Sequence, residues 1–238
     1  MEHARLRAAV DPDRAVLRIG GTDAADFLQD LVTNDLSRLS DRAALYSALL
    51  TPQGKFLFDF VLFAERADQA PDAGADGAVP GAAPGEASAQ PAILIDVAAS
   101  RAQALAQRLT MYRLRRKISI DVTELSVVLI WPDPGLAPPS EIAQPSEIAA
   151  PAEIAAPAGP GSAVDSPSGA LRDPRHAGLG WRLLTDAPAA ALDKLDAVAG
   201  DLTGYDELRI GLGVPATGAE LRADETFILE AGFERFHG

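Results

Sequence analysis

Three histidines, His3, His176 and His237, are scattered along the chain, and none has a partner at metal-ligand spacing. There is no cysteine, so the chain can neither run thiol chemistry nor hold an iron–sulfur cluster on its own side chains. Asp35, Asp59 and Asp96 are acid–base candidates, but each is a single carboxylate with no visible partner. No G-x-S-x-G elbow and no P-loop is present. Gly211-x-Gly213-x-x-Ala216 matches the dinucleotide fingerprint as a string, yet it follows a helical pattern and meets Pro215, which favours a glycine-rich turn. Gly20-Gly21 before a helix could cradle an anion or simply make the strand-to-helix turn. Arg113, Arg115, Arg116 and Lys117 form a dense basic run. Such a run could hold a polyanionic ligand tail or a patch of RNA, or it could complement the dipole at a helix C-terminus and stay solvated. By themselves the residues suit a small-ligand binder as well as an enzyme.

The elements that must position these groups sit in an acidic chain, of net charge −13 and pI near 4.6. That field repels phosphate backbones and anionic membranes, so no membrane partner is expected, and a nucleic-acid partner is disfavoured outside the basic run. No stretch approaches the roughly 20 apolar residues of a spanning helix. The opening MEHARLRAAVDPDR lacks the apolar region of a signal peptide, and with no cysteine the default compartment is cytoplasmic.

Fourteen of the 18 prolines fall in 65–91 and 132–174. The second stretch repeats with a period of six: PSEIAQ from Pro139, PSEIAA from Pro145, PAEIAA from Pro151. One Ile per repeat buries too little surface to offset chain entropy, and the recurring proline stops a helix, so both stretches are expected as flexible surface loops. Elsewhere strand and helix signals alternate. Strands are expected at 15–19, 43–50, 55–64, 93–97, 118–122, 125–131 and 179–184. The 43–50 and 55–64 pair is a hairpin about Thr51-Pro52-Gln53-Gly54. Helices are expected after a Thr22 cap, after a Ser100/Gln103 capping box, and over 189–198 and 206–212. Hairpins mixed with helices give an α+β fold with a largely antiparallel sheet.

Six segments, in order, resemble YgfZ-type proteins, the folate-binding relatives of the glycine-cleavage aminomethyltransferase that assist iron–sulfur cluster maturation. They are Phe27–Asp35, Ala48–Lys55, Met111–Ile118, Asp173–Arg182, Tyr205–Pro215 and Glu230–Phe233. The resemblance implies an aminomethyltransferase-like fold around a central tetrahydrofolate pocket. On that likeness residues 1–131 form an N-terminal folate-binding lobe carrying the insert 65–91. A low-complexity insert follows at 132–178, and 179–238 is the remainder of the folate-binding region. Arg209 matches the arginine that contacts folate in the aminomethyltransferases, and its guanidinium could meet pterin or carboxylate oxygens. The other reading of Arg209 is a surface ion pair with Asp206 or Glu207. Asn34 and Asp35 match a pocket-lining segment, or else serve as a helix cap and turn.

Two departures from the pattern matter. The catalytic aspartate of the methyltransferases aligns with Phe58, which cannot act as a base, while Asp59 takes the second position and could face the pocket or solvent. Arg182 replaces a glutamate of the relatives and changes the charge of the pocket. In the family a cysteine motif and a further lobe follow the segment like Leu229–Phe233, and the sequence stops at Gly238 before them, so the expectation is either a fragment or truncated product, or a protein that lacks that part. The expectation is therefore a non-enzymatic folate binder that assists iron–sulfur assembly, with iron–sulfur proteins or assembly factors as partners. The alternatives are a folate-dependent aminomethyl or one-carbon transferase, and an inactive remnant. Any link to tRNA modification stays open at this point.

Overall fold

The computed structural model describes residues 6–66, 91–133 and 167–238. The six-residue repeat and nearly all of 65–91 lie outside the described residues. In chain order the elements are β1 (Leu6–Asp11), β2 (Arg14–Gly20), α1 (Ala24–Gln29), β3 (Leu45–Leu50), β4 (Phe56–Ala64), β5 (Ile93–Ala98), α2 (Ala99–Tyr112) and β6 (Ser119–Val122). β7 (Ser126–Pro132), β8 (Leu171–Arg172), β9 (Trp181–Thr185), α3 (Pro188–Lys194), β10 (Ala197–Ala199) and α4 (Leu202–Gly211) follow. Two sheets result, in the orders β10-β1-β7-β9-β8 and β3-β4-β5-β2-β6. Every pairing is antiparallel except the parallel β1–β10 edge. The fold is thus α+β with two antiparallel-rich sheets.

β4, FLFDFVLFA, is buried along almost its whole length, so both of its faces need cover. On one face Phe58, Phe60 and Leu62 pack with Phe27 and Leu28 of α1 and with Leu105 and Leu109 of α2. Full burial of such a leucine contributes about 1.5–3 kcal/mol. On the other face Val61 and Phe63 join Val127, Leu129 and Trp131 of β7, so the two sheets share one core. Val214, Leu221, Ile228 and Phe233 close that core from the C-terminal side. The register of β3 and β4 jumps from the pair Leu49–Phe58 to the pair Leu50–Phe56, which leaves Leu57 as the extra residue of a bulge. The bulge turns Phe56 to the same side as Val61 and Phe63.

Several local readings are corrected. The charged opening segment contains β1, held between β10 and β7, because its backbone pairs over six positions with β7. The helix expected over 189–198 stops at Lys194, and Ala197–Ala199 leave it to pair with Leu6–Ala8. Thr22 does not cap α1: its hydroxyl reaches Asp23, whose other oxygen takes Lys117 N at 2.8 Å. No capping box forms at Ser100, since α2 starts at Ala99 with Ala98 before it and Ala99 N bonds Asp13 O at 2.8 Å. Glu65, at the start of the first proline-rich stretch, is buried and accepts two bonds from Arg18. Residues 167–178, grouped by composition with the second stretch, carry β8 and the buried Asp173 and Arg175.

Candidate functional site

A cavity of about 550 Å³ opens between the sheets, in the size range of small-molecule sites. Arg14 enters it from the start of β2, Asp59 from β4, Arg182 from β9, and Tyr205 and Arg209 from one face of α4. Arg175 comes from the turn ahead of β9, and Thr217 from the segment after α4.

The wall behind the cavity is an ion chain. Asp96 of β5, fully buried, accepts from Arg14 Nε at 2.6 Å and from Arg182 Nη1. Arg182 Nε reaches Asp173 Oδ2 at 2.7 Å, and Arg175 grips the same carboxylate through Nε at 3.0 Å and Nη2 at 2.7 Å. Arg175 Nη2 also donates to the Tyr205 hydroxyl at 3.1 Å. Three guanidiniums thus face two carboxylates, an excess of one positive charge in a desolvated wall. Burial pushes the Asp173 carboxyl up, but the charges and hydrogen bonds of Arg175 and Arg182 outweigh it and hold the group far below the usual carboxylate range.

Asp59, a further carboxylate of the cavity lining, is also buried and takes hydroxyl donors in place of a guanidinium. Tyr46 donates to its Oδ2 at 3.0 Å, and Thr217 donates to its Oδ1. Burial first, then the Asp59 charge, push the Tyr46 phenol well up, so it stays a donor at neutral pH. Tyr205 is raised for like reasons, burial first and then the charge of Asp173. Asp11, which also lines the cavity, is pushed up by burial. The arrangement presents a carboxylate acceptor beside guanidinium donors, a pattern that can recognise a molecule carrying both N–H groups and carbonyl or carboxylate oxygens.

Three residues singled out in the sequence, Asp59, Arg182 and Arg209, meet in this cavity. Arg209 is buried and held by Asp206 at 2.6 Å, Val214 O at 3.1 Å and Glu220 at 3.0 Å, so the ion pair with Asp206 is present and Glu220, not Glu207, is its second acid. Arg182 spends its charge on Asp96 and Asp173. Asn34 and Asp35 do not reach the cavity. Asn34 Nδ2 braces Tyr46 O at 2.8 Å and His237 O at 2.7 Å, and exposed Asp35 caps the turn at Leu36–Arg38 by accepting from Ser37 N. Phe58 faces away from the cavity, with the Arg101 guanidinium 4.8 Å from its ring centroid, so the side chain on the cavity side is Asp59. Sequence reasoning did not single out Arg14, Asp173, Arg175, Tyr205 or Thr217. One signal was available: Arg182 interrupts an otherwise apolar strand, which calls for a buried counter-charge. His176 caps a short turn by accepting from Gly178 N at 3.0 Å, and Gly213, at φ +70°, makes the turn after α4. Among the described residues no cluster of His, Asp and Glu could hold a metal ion, and no helix is long and apolar enough to cross a membrane.

No family model matches the chain. A mouse protein named mitochondrial iron–sulfur cluster assembly factor IBA57 is 31% identical over 234 residues, which is 94% of this chain and 55% of that protein. Its human counterpart is 29% identical over 233 residues with the same coverage. This chain is similar to iron–sulfur cluster assembly factors. It spans about half the length of the curated relatives it matches. Both relatives are named as mitochondrial, and that overturns the cytoplasmic expectation, which rested on a default. Among solved structures, the glycine cleavage aminomethyltransferase T of Bartonella henselae matches with TM-score 0.40 at 16% identity, over 54% of this chain and 29% of that one.

Proposed function

We propose that this chain is the folate-binding part of a YgfZ-type iron–sulfur cluster assembly factor, working through partner proteins of the assembly machinery and not by turnover. The observation that carries the reading is the similarity to assembly factors along 94% of the chain. The relatives point to a mitochondrial setting. Tetrahydrofolate fits the donor set of the cavity: Asp59 can accept N–H groups of a pterin, and Arg14, Arg175 and Arg209 border the space with donors for its oxygens. When bound, folate would supply a one-carbon carrier, whereas this chain's residues bind it, orient it and keep water from the buried wall.

A folate-dependent one-carbon transferase is the second reading, favoured by a carboxylate on the cavity side of β4. Each Asp59 oxygen, however, already accepts one hydroxyl, from Tyr46 and from Thr217, which leaves lone pairs to accept a ligand N–H but ties down the carboxylate that a transferase would need as its base. Thermal melting of the chain with tetrahydrofolate tests the proposal. A ligand at 100 times its Kd adds about 2.7 kcal/mol, a midpoint rise of about 5–10 °C for this size. Asp59→Asn should remove the rise while leaving the fold intact. An unchanged midpoint at millimolar tetrahydrofolate refutes folate binding. Folate-dependent release of a one-carbon unit by the chain would replace the binding reading with the second one.

A further inference from the structure

The basic run of the sequence takes no part in the cavity. It forms the turn after α2, where Arg113, Arg115, Arg116 and Lys117 are all exposed. Three large apolar side chains are exposed in the same stretch: Met111 at 65%, Tyr112 at 41% and Leu114 at 87%. Leu114 is held at φ +45°, a left-handed conformation that β-carbon residues rarely adopt without a constraint.

The constraint is visible. Asp23 takes the Lys117 N–H at 2.8 Å, and Asp30 pairs with Arg116 at 2.8 Å, so both ends of α1 clamp the turn. Gly21, at φ +105°, lies so close that a Cβ there would fall 2.2 Å from Lys117 O. The apolar side chains are therefore displayed by an ordered turn and not by a loose loop. Beside them lies a cleft of about 760 Å³ whose walls include Phe27 and Leu31 of the α1 region together with Tyr112 and Leu114.

We propose that this corner is a docking surface for a partner protein, and that the docked segment is acidic with leucine-like anchors. The apolar half of the argument is the cleft and its exposed rim, since clustered exposed apolar side chains mark interaction sites. The polar half is charge complementarity: Arg113 and Arg115 form no ion pair among the described residues, and Lys117 has the Asp23 carboxylate near it without an ion pair, in a chain of net charge −13. An acidic segment is drawn to this corner and repelled by most of the remaining surface, which sets orientation as well as rate. Tyr and Arg around a preformed apolar cleft are also the side chains that dominate binding hot spots. RNA fits less well, because Tyr112 alone of the three exposed apolar side chains offers a stacking plane and the whole-chain field opposes phosphate.

The test uses the full chain and a fluorescently labelled synthetic peptide of alternating Glu and Leu, read by fluorescence anisotropy. Saturable binding is expected. Leu114→Asn, which suits the left-handed backbone and removes the anchor, should weaken it about tenfold without lowering the melting midpoint. Arg115→Glu with Lys117→Glu should weaken it about tenfold or more. Polyglutamate should bind at least about tenfold more weakly than the Glu/Leu peptide, because it lacks the anchors. Absence of saturable binding at millimolar peptide overturns the proposal, as do variants that bind unchanged and polyglutamate that binds equally well. Tighter binding to a single-stranded RNA or to phosphatidylserine vesicles than to the peptide overturns it in favour of that ligand. None of these readings involves folate, so failure here is separable from failure of the folate proposal.

Discussion

Replacing Asp173 by Asn should be among the most damaging single changes outside the hydrophobic core. The carboxylate has no exposed surface and is shared by Arg175 and Arg182, themselves almost fully buried. At an effective dielectric near 20, each such pair with charge centres about 4 Å apart is worth about 4 kcal/mol of attraction. Most of that is offset by the cost of taking the ions out of water, so the intact network adds little net stability. Deleting one partner is different. It leaves the buried guanidiniums uncompensated, with only Asp96 to share between Arg14 and Arg182, and such losses run to about 3–5 kcal/mol. For a chain of this size the melting midpoint should fall by about 6–20 °C. The measurement is a pair of calorimetric or circular-dichroism melts, with Arg116→Ala as the reference. That variant loses an exposed pair with Asp30 and should cost no more than about 1 kcal/mol. If Asp173→Asn melts within the range of Arg116→Ala, the wall is not an interdependent ion network and the reasoning fails. A double variant with Arg175→Met should cost clearly less than the sum of the singles, because the second change removes a charge the first left stranded.

Two further outcomes are expected. Asp173 has its folded-state carboxyl depressed, so its stabilisation is fully present above the unfolded value near 4 and is lost as pH falls below it. Melts from pH 7 down to about pH 3 should show a steep acid loss in the parent chain and a shallower one in Asp173→Asn; parallel curves would contradict the assignment. Gly180→Ala should destabilise by about 2 kcal/mol or more, since φ is +81° and the new Cβ would lie 2.1 Å from Ile130 O, where only backbone could yield. Denaturant midpoints check this, and a change under about 0.5 kcal/mol would show that β7 and β9 can part there at little cost.

The sequence by itself determined the parts whose signals are local. The apolar run of β4, the Thr51–Gly54 turn and the Leu105/Leu109 spacing in α2 each report burial through a period of a few residues, and each lies where those patterns place it. Arg209 was legible as a cavity residue only through the resemblance, because its own neighbours Asp206 and Glu207 also suit a surface pair. What the tertiary structure decided is which side chains face one another. Asp59 rather than Phe58 points at the cavity, and that depends on how β4 is seated between the helices and β7. Asn34, polar at the end of a helical segment, turned out to brace Tyr46 and His237, a contact spanning 203 residues. Arg182 and Asp96 lie 86 residues apart and meet only because β9 and β5 belong to sheets packed face to face. Hydrophobic periodicity fixes the faces of an element, since burial is a property of each segment. Charge pairing across the core depends on the packing of distant segments, and no spacing along the chain encodes it.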